Sequence, residues 1–291
     1  MRVAGLLVMG LLGWGLSVRG QGAGVAQVGS GSAGGPPAAV PVTAAEVEGM
    51  RRKLADWGQL GYYRAANAAV PSAGPVGGAG TSRAGSLGAV AGTPGAGVPV
   101  EGRVVFYGAS MTENWGKGGS VFFPGKGYIN RGIGGQTTAQ MLVRFRQDVI
   151  DLHPQVVVIL GGTNDVAGNT GLMTPEMTEG NWTSMAELAR ANGIAAVFAS
   201  ITPASDIPWR RGLHPAEKIR VLNAWLKAYC ASRGLVYLDY YSVLADAEGG
   251  MKADLTVDGV HATVKGYTVM APLAQAAVDR ALATQAPQGK R

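Results

Sequence analysis

An α/β fold with a parallel sheet between two layers of helices is what the sequence predicts, and three observations predict it. Short runs of β-branched and aromatic residues recur between residues 104 and 239. Patterns with a single apolar helical face stand between or after most of them. The strand runs read as buried on both sides, which is the mark of a parallel sheet in three layers. Of the 291 residues, 47% are apolar and only 15% charged, so a substantial core is available.

The elements follow in order from Glu101 to Gln285. Val104–Tyr107 and Tyr128–Arg131 read as the first strands. Thr137-Thr138-Ala139-Gln140 reads as a capping box, and Met141, Leu142, Phe145, Val149 and Ile150 then share an apolar face. Val156–Leu160 is the third strand. Thr174-Pro175 opens a helix with proline at its first position, carried on by Met185, Leu188 and Ala189 as far as Gly193. Ala195–Ile201 is the fourth strand. His214-Pro215 opens a helix with Ile219, Leu222, Leu226 and Tyr229 inward and Cys230 as a buried small residue. Val236–Asp239 is the last strand, and 263–283 the last helix.

Outside this domain the composition changes. Arg2 precedes an apolar run from Val3 to Val18, and small residues follow to Ala26. The run is short for a bilayer span, which needs about 20 residues. Residues 1–26 therefore read as a signal peptide, which predicts a secreted or periplasmic protein; an uncleaved anchor is the alternative. Residues 27–43 read as a flexible linker. In 44–70, Met50, Leu54, Trp57 and Leu60 recur at helical spacing, which predicts a helix lying on the main domain. Residues 71–100 are rich in Gly, Ala and Pro and read as a disordered insertion. Residues 286–291 read as a tail. The net charge of +6 is spread without a basic run, which argues against nucleic acid as a partner. With Cys230 the only cysteine, no intrachain disulfide can form.

In a parallel sheet, ligands bind beyond the carboxyl ends of the strands. The loops leaving these strands carry Gly108-Ala109-Ser110, Gly132-Ile133-Gly134-Gly135-Gln136 and Gly161-Gly162-Thr163-Asn164-Asp165. Asp258-Gly259-Val260-His261 precedes the last helix. Each has an ordinary reading. Ser110 could cap a helix. The glycines could make a tight turn, since they complete neither a dinucleotide nor a phosphate-loop fingerprint. Asn164-Asp165 could be a turn or cap pair. His153 and His214, each beside a proline at a helix end or start, read as structural or surface residues. His261 differs: a carboxylate stands three residues before it, with a glycine between that lets the chain fold back.

Taken together, the four loops supply what acyl transfer needs: a nucleophile, a base, an orienter for the base and oxyanion donors. Ser110 would attack, His261 would move its proton, and Asp258 would hold the imidazole. The N–H groups of Ser110 and Gly135 and the amide of Asn164 would face the oxyanion. Trp115 is a candidate for the substrate mouth, with Phe122, Phe123 and Tyr128 beside it.

The order Tyr107-Gly-Ala-Ser-Met-Thr, Asn130-Arg-Gly-Ile-Gly-Gly-Gln-Thr-Thr, Gly161-Gly-Thr-Asn-Asp and Asp258-Gly-Val-His resembles the SGNH hydrolases, the GDSL-type esterases and lipases. The resemblance implies a flavodoxin-like sheet of five parallel strands and no metal or cofactor. It implies a shallow site for acetyl or other short acyl esters, including acetylated sugars. It carries over nucleophile Ser110, oxyanion donors Gly135 and Asn164, and the pair Asp258/His261. The family's usual acid before the serine is Ala109 here, a departure that would loosen the loop and lower activity. Lysophospholipase or thioesterase chemistry with the same triad, or an inactive carbohydrate-binding member, are the other readings.

Overall fold

The computed structural model describes residues 43–71 and 99–285. The expected signal peptide, the tail, nearly all of the linker and most of the insertion lie outside the described residues. Five parallel strands form one sheet: β1 (Val100–Gly108), β2 (Ile129–Gly132), β3 (Pro154–Leu160), β4 (Ala195–Ala199) and β5 (Val236–Leu238). Their order across the sheet is β2-β1-β3-β4-β5, with every pairing parallel. The three-layer α/β/α architecture is thus the one the sequence predicts.

Each strand's side chains alternate between two cores, because successive residues point to opposite faces. Val105, Tyr107, Val157, Ile159, Ala196 and Phe198 face one side. There they meet α4 (Thr138–Asp148), α6 (Pro175–Ala191) and α7 (Ala216–Arg233) through Met141, Phe145, Trp182, Met185, Leu222 and Leu226. Val104, Phe106, Val156, Val158, Leu160 and Val197 face the other. There they meet the long α9 (Val264–Gln285), whose Met270, Ala274, Ala277 and Ala281 are fully covered. Cys230 is buried in the first core, and burial pushes its thiol up to about 12.

The start signals of two helices act as read. Thr137 and Gln140 form a reciprocal capping box on α4. The Thr174 hydroxyl accepts from the Met177 N–H, with Pro175 at the first turn of α6. The 214–215 signal is displaced by one residue: Pro215 is the cap of α7, and His214 is exposed with φ +47°.

The N-terminal segment differs from its expected form. It is not one helix but two, α1 (Ala44–Ala55) and α2 (Arg64–Ala68), joined by a tight turn. The apolar stripe is not its docking face: Met50 and Leu54 are 55% and 75% exposed. Polar groups of residues 57–67 make the attachment instead. Gln140 and Gln147 donate to the carbonyls of Trp57 (2.7 Å) and Leu60 (2.8 Å). Asn67 donates to the Asp148 carboxylate at 2.6 Å.

Candidate active site

Parallel register brings Gly108, Gly132 and Leu160 side by side at the carboxyl edge of the sheet. The loops that leave there carry Ser110, Gly135 and Asn164. Between neighbours β1 and β3 the strand order reverses, which is where a doubly wound sheet opens a crevice. The short helix α3 (Ser110–Glu113) starts at Ser110 and crosses directly over β2. Gly132 makes that crossing possible: a Cβ there would lie 2.1 Å from the Glu113 nitrogen.

Ser110 Oγ lies 2.9 Å from His261 Nε2, across a sequence separation of 151 residues. His261 Nδ1 lies 2.7 Å from Asp258 Oδ2. The other carboxylate oxygen, Oδ1, accepts the backbone N–H groups of Val260 (3.0 Å) and His261 (2.8 Å). Gly259, at φ +91°, turns the chain so that acid and imidazole meet three residues apart. The Thr256 hydroxyl closes the loop by donating to the His261 carbonyl at 2.9 Å and accepting from the Gly259 N–H at 2.9 Å. Partial burial pushes the Asp258 carboxyl up, but the hydrogen bonds from His261 and Val260 outweigh it. The net position is below the usual carboxylate range. An ionised Asp258 fixes the tautomer with Nδ1–H and leaves Nε2 as the acceptor toward the serine hydroxyl.

Asn164 is buried, and its orientation is set from both ends. Its Oδ1 accepts from Asn169 Nδ2 at 2.9 Å. Its Nδ2 donates one hydrogen to the Gln136 carbonyl at 2.9 Å. The second amide hydrogen remains for a ligand in the pocket that Asn164 and Ser110 both line. Among the described residues, the N–H groups of Ser110 and Gly135 also have no hydrogen-bond acceptor. The three groups form one candidate oxyanion site. The pocket beside Ser110 is small, about 20 Å³, and is walled by Leu160, Gly162, Thr202 and Val260. A space of that size holds roughly one water-sized group.

Behind these donors stands a buried polar frame that sequence reading did not find. The Arg144 guanidinium is fully buried and paired with Asp148 at 3.0 Å. It donates to the Gly108 carbonyl (2.9 Å), the Arg131 carbonyl (2.9 Å) and Gln136 Oε1 (2.6 Å), and lies over the Tyr107 ring. One cation thus ties together the ends of β1 and β2 and the loop holding Gly135. Asp165 accepts from the Thr138 N–H at 2.9 Å and from the Thr138 and Thr178 hydroxyls. That links the Asn164 loop to the N-terminus of α4. Burial pushes the Asp165 carboxyl up, against the pull of those hydrogen bonds. Glu113 accepts the Gly134 N–H at 2.6 Å, beside Gly135, and also bonds Tyr62 (2.8 Å) and Lys117 (2.9 Å). The capping box at 137–140 was the one visible hint that this loop is held tightly.

Trp115 is not at the mouth. It is 3% exposed and packs against Phe106, Phe123, Tyr240 and Tyr267. A helix only four residues long turns its ring under the sheet edge, where the second core takes it in. Phe123 is buried with it, and Phe122 and Tyr128 pack on the same cluster. The aromatic at the site is Trp209, from the loop after β4. It is 42% exposed, its ring stands 5.9 Å from the His261 ring, and its Nε1 donates to Asn169 Oδ1 at 2.9 Å.

The model of the GDSL-like lipase/acylhydrolase family matches residues 94–269. A solved structure from Bacteroides fragilis, proposed to be an acylhydrolase, is 40% identical; the match covers 78% of this chain and 99% of that one, with a TM-score of 0.67. A GDSL-like lipase from Bacteroides thetaiotaomicron is 39% identical over 77% of this chain and 99% of its own, with a TM-score of 0.66. Esterase TesA of Pseudomonas aeruginosa is 28% identical over 134 residues, 46% of this chain. The chain spans 60% of that esterase's length, and 32% of a Bacillus subtilis lipoprotein with which it shares 35% identity.

Proposed function

The chain belongs to the GDSL-like lipase/acylhydrolase family, a family of carboxylic ester hydrolases, and from that premise we propose that it is a serine esterase acting on short-chain, chiefly acetyl, esters. The observation that carries this reading is the continuous relay Ser110–His261–Asp258, with contacts of 2.9 and 2.7 Å, beside three unspent hydrogen-bond donors. Ser110 Oγ attacks the ester carbonyl carbon as its proton passes to His261 Nε2. The carbonyl oxygen becomes an oxyanion and takes the N–H groups of Ser110 and Gly135 and the free amide hydrogen of Asn164. His261 then gives the proton to the departing alkoxide, leaving an acyl-serine. Water, deprotonated by the same nitrogen, attacks that acyl group; collapse releases the carboxylic acid and returns the proton to Ser110.

The proposed preference for a short acyl group is supported by the narrow space beside Ser110, about 20 Å³. Acetylated carbohydrates are the natural substrate class we propose. An acetyl xylan esterase shares the fold at 20% identity and a TM-score of 0.52, which is a likeness of fold alone. Export from the cytoplasm belongs to the same proposal and is supported by the apolar run Val3–Val18 behind Arg2. Fractionation of cells expressing the full chain, beside a chain lacking residues 1–26, tests it; equal cytoplasmic retention of both would reject export.

The decisive assay gives purified protein p-nitrophenyl acetate and p-nitrophenyl decanoate, next to a Ser110→Ala variant. The acetate should be preferred, and the variant should lose on the order of 10⁶ in kcat. Equal rates for the two proteins would sink the esterase reading, and preference for decanoate would favour lysophospholipase or thioesterase chemistry.

A further inference from the structure

We propose that the N-terminal segment 52–62 is a specificity element, forming with Trp209 a cleft for the alcohol part of the substrate, a pyranose ring. The proposal rests on the esterase reading above for the position of the scissile bond. A cleft of about 700 Å³ lies between Trp57, Gln59 and Tyr62 on one side and Gly134, Gly135, Asn169 and Trp209 on the other. That volume is within the usual range of small-molecule sites. Trp209 and the Gly134–Gly135 loop connect it to the chemistry, since Trp209 also lines the small pocket at Ser110.

Two features mark the cleft as a binding surface rather than an accident of packing. The first is rigid presentation of exposed aromatic rings. Trp57 and Tyr62 are 40% and 52% exposed. Yet the turn bearing them is fixed by the Asp56 carboxylate, which accepts the N–H groups of Leu60 (2.7 Å) and Gly61 (2.8 Å). Gln136 and Gln140 hold it from the other side, through the Gly58 carbonyl and Gln59 Oε1 and through the Trp57 carbonyl. Ordering two large rings at the surface gains nothing for folding that burial would not supply better, but it prepares flat apolar faces for a ligand at little entropic cost. The second is the composition between the rings: Arg52, Asp56, Gln59 and Thr170 offer donors and acceptors to a ring of hydroxyl groups. The space beside Ser110 itself is narrow, and this cleft is where a bulky alcohol part can lie. A pyranose ring, apolar on its faces and polar on its rim, matches this lining better than an alkyl chain.

Trp57 is the residue to change, because only its main chain is used in anchoring the turn. The ratio of kcat/KM for β-D-xylose tetraacetate to that for p-nitrophenyl acetate should fall about tenfold or more in Trp57→Ala. The loss should appear in KM, and Trp57→Phe should recover part of it. Thermal unfolding of both variants checks that the fold is kept. An unchanged ratio would overturn the proposal, as would a loss confined to p-nitrophenyl decanoate, which would assign the cleft to acyl chains. If the wild-type protein cleaves none of these esters, the esterase reading fails by itself. Calorimetric titration of Ser110→Ala and of Ser110→Ala/Trp57→Ala with xylose tetraacetate then still decides the cleft: weaker binding to the double variant supports it, equal binding refutes it.

Discussion

The candidate acid–base turn and the candidate oxyanion corner both adjoin Ser110 and are built in opposite ways. Asp258 and His261 meet within one four-residue turn, held by main-chain N–H groups and the Thr256 hydroxyl, and partly open to solvent. Gly135 and Asn164 come from separate loops 29 positions apart in the chain, and neither would be aligned without partners. Gln136, Arg144, Asp165 and Asn169 do that aligning, and the first three are buried. A local turn can be specified by its own residues. A corner made from two loops needs a buried polar frame, whose members must all be satisfied because each unpaired group is costly at low dielectric.

This contrast predicts that damage to the turn is chemical, whereas damage to the corner spreads into folding. Asp258→Asn should lower kcat by about 10⁴ through the wrong imidazole tautomer, with a fall in melting temperature at neutral pH smaller than that of the corner variants. A loss below tenfold would mean that Asp258 does not orient the base. Asn164→Ala should cost about 10² to 10³ in kcat, the usual worth of one oxyanion donor, and should also lower the melting temperature, since the Gln136 carbonyl and Asn169 amide lose their partner. Arg144→Met leaves Asp148 buried and unpaired and should cost about 3–5 kcal/mol in urea unfolding. A neutral result would show that the frame is not under electrostatic load.

The pH dependence separates the regions next. Asp258 titrates below the usual carboxylate range, so its contribution to stability is present above its unfolded value and lost as pH falls through the depressed folded one. Melting temperature scanned from neutral pH into acid should therefore fall less steeply in Asp258→Asn than in wild type. Asp165 is shifted up and has the opposite sign: what it contributes is full below its unfolded value and lost as pH rises through the raised one. Asp165→Asn should remove that alkaline-side loss while keeping a donor and an acceptor at the site.

The smallest effect concerns Ala109. It is the N-cap residue of α3, with no side-chain cap for the helix. Ala109→Asp should add about 0.5–2 kcal/mol through a cap to the Met111 or Thr112 N–H. Activity should rise only modestly, because Glu113 already secures the neighbouring Gly134 peptide. A gain above tenfold would show that the loop is loose in the natural chain.

Legibility in the sequence followed the same division. β1, β3 and β4 were readable because each carries a short apolar run buried on both faces, and all five strands fall within a few residues of their expected positions. Ser110, Asp258 and His261 were readable as candidates because each stands in a short motif, and the structure brings the three together. Arg144, Asp165 and Asn169 were not, since a charged or amide residue on a helix or turn ordinarily signals a solvated surface. Trp115 was misread for the converse reason: an aromatic near a catalytic serine suits a pocket wall or a core equally well until the fold is closed. Trp57 lay in a stripe that suggested burial, yet polar contacts of the backbone around it dock the segment and leave its ring outside.

Local patterns of apolar period, caps and motif spacing were therefore sufficient for the layered sheet and for picking out Ser110, His261 and Asp258, which the fold brings into contact. Such patterns depend on interactions within a strand, a helix turn or a four-residue loop. Which donors align beside Ser110, which tryptophan stands beside His261 and where the N-terminal segment lies all depend on contacts between residues tens of positions apart. Their energies arise from burial, and burial is a property of the closed fold rather than of any stretch of chain.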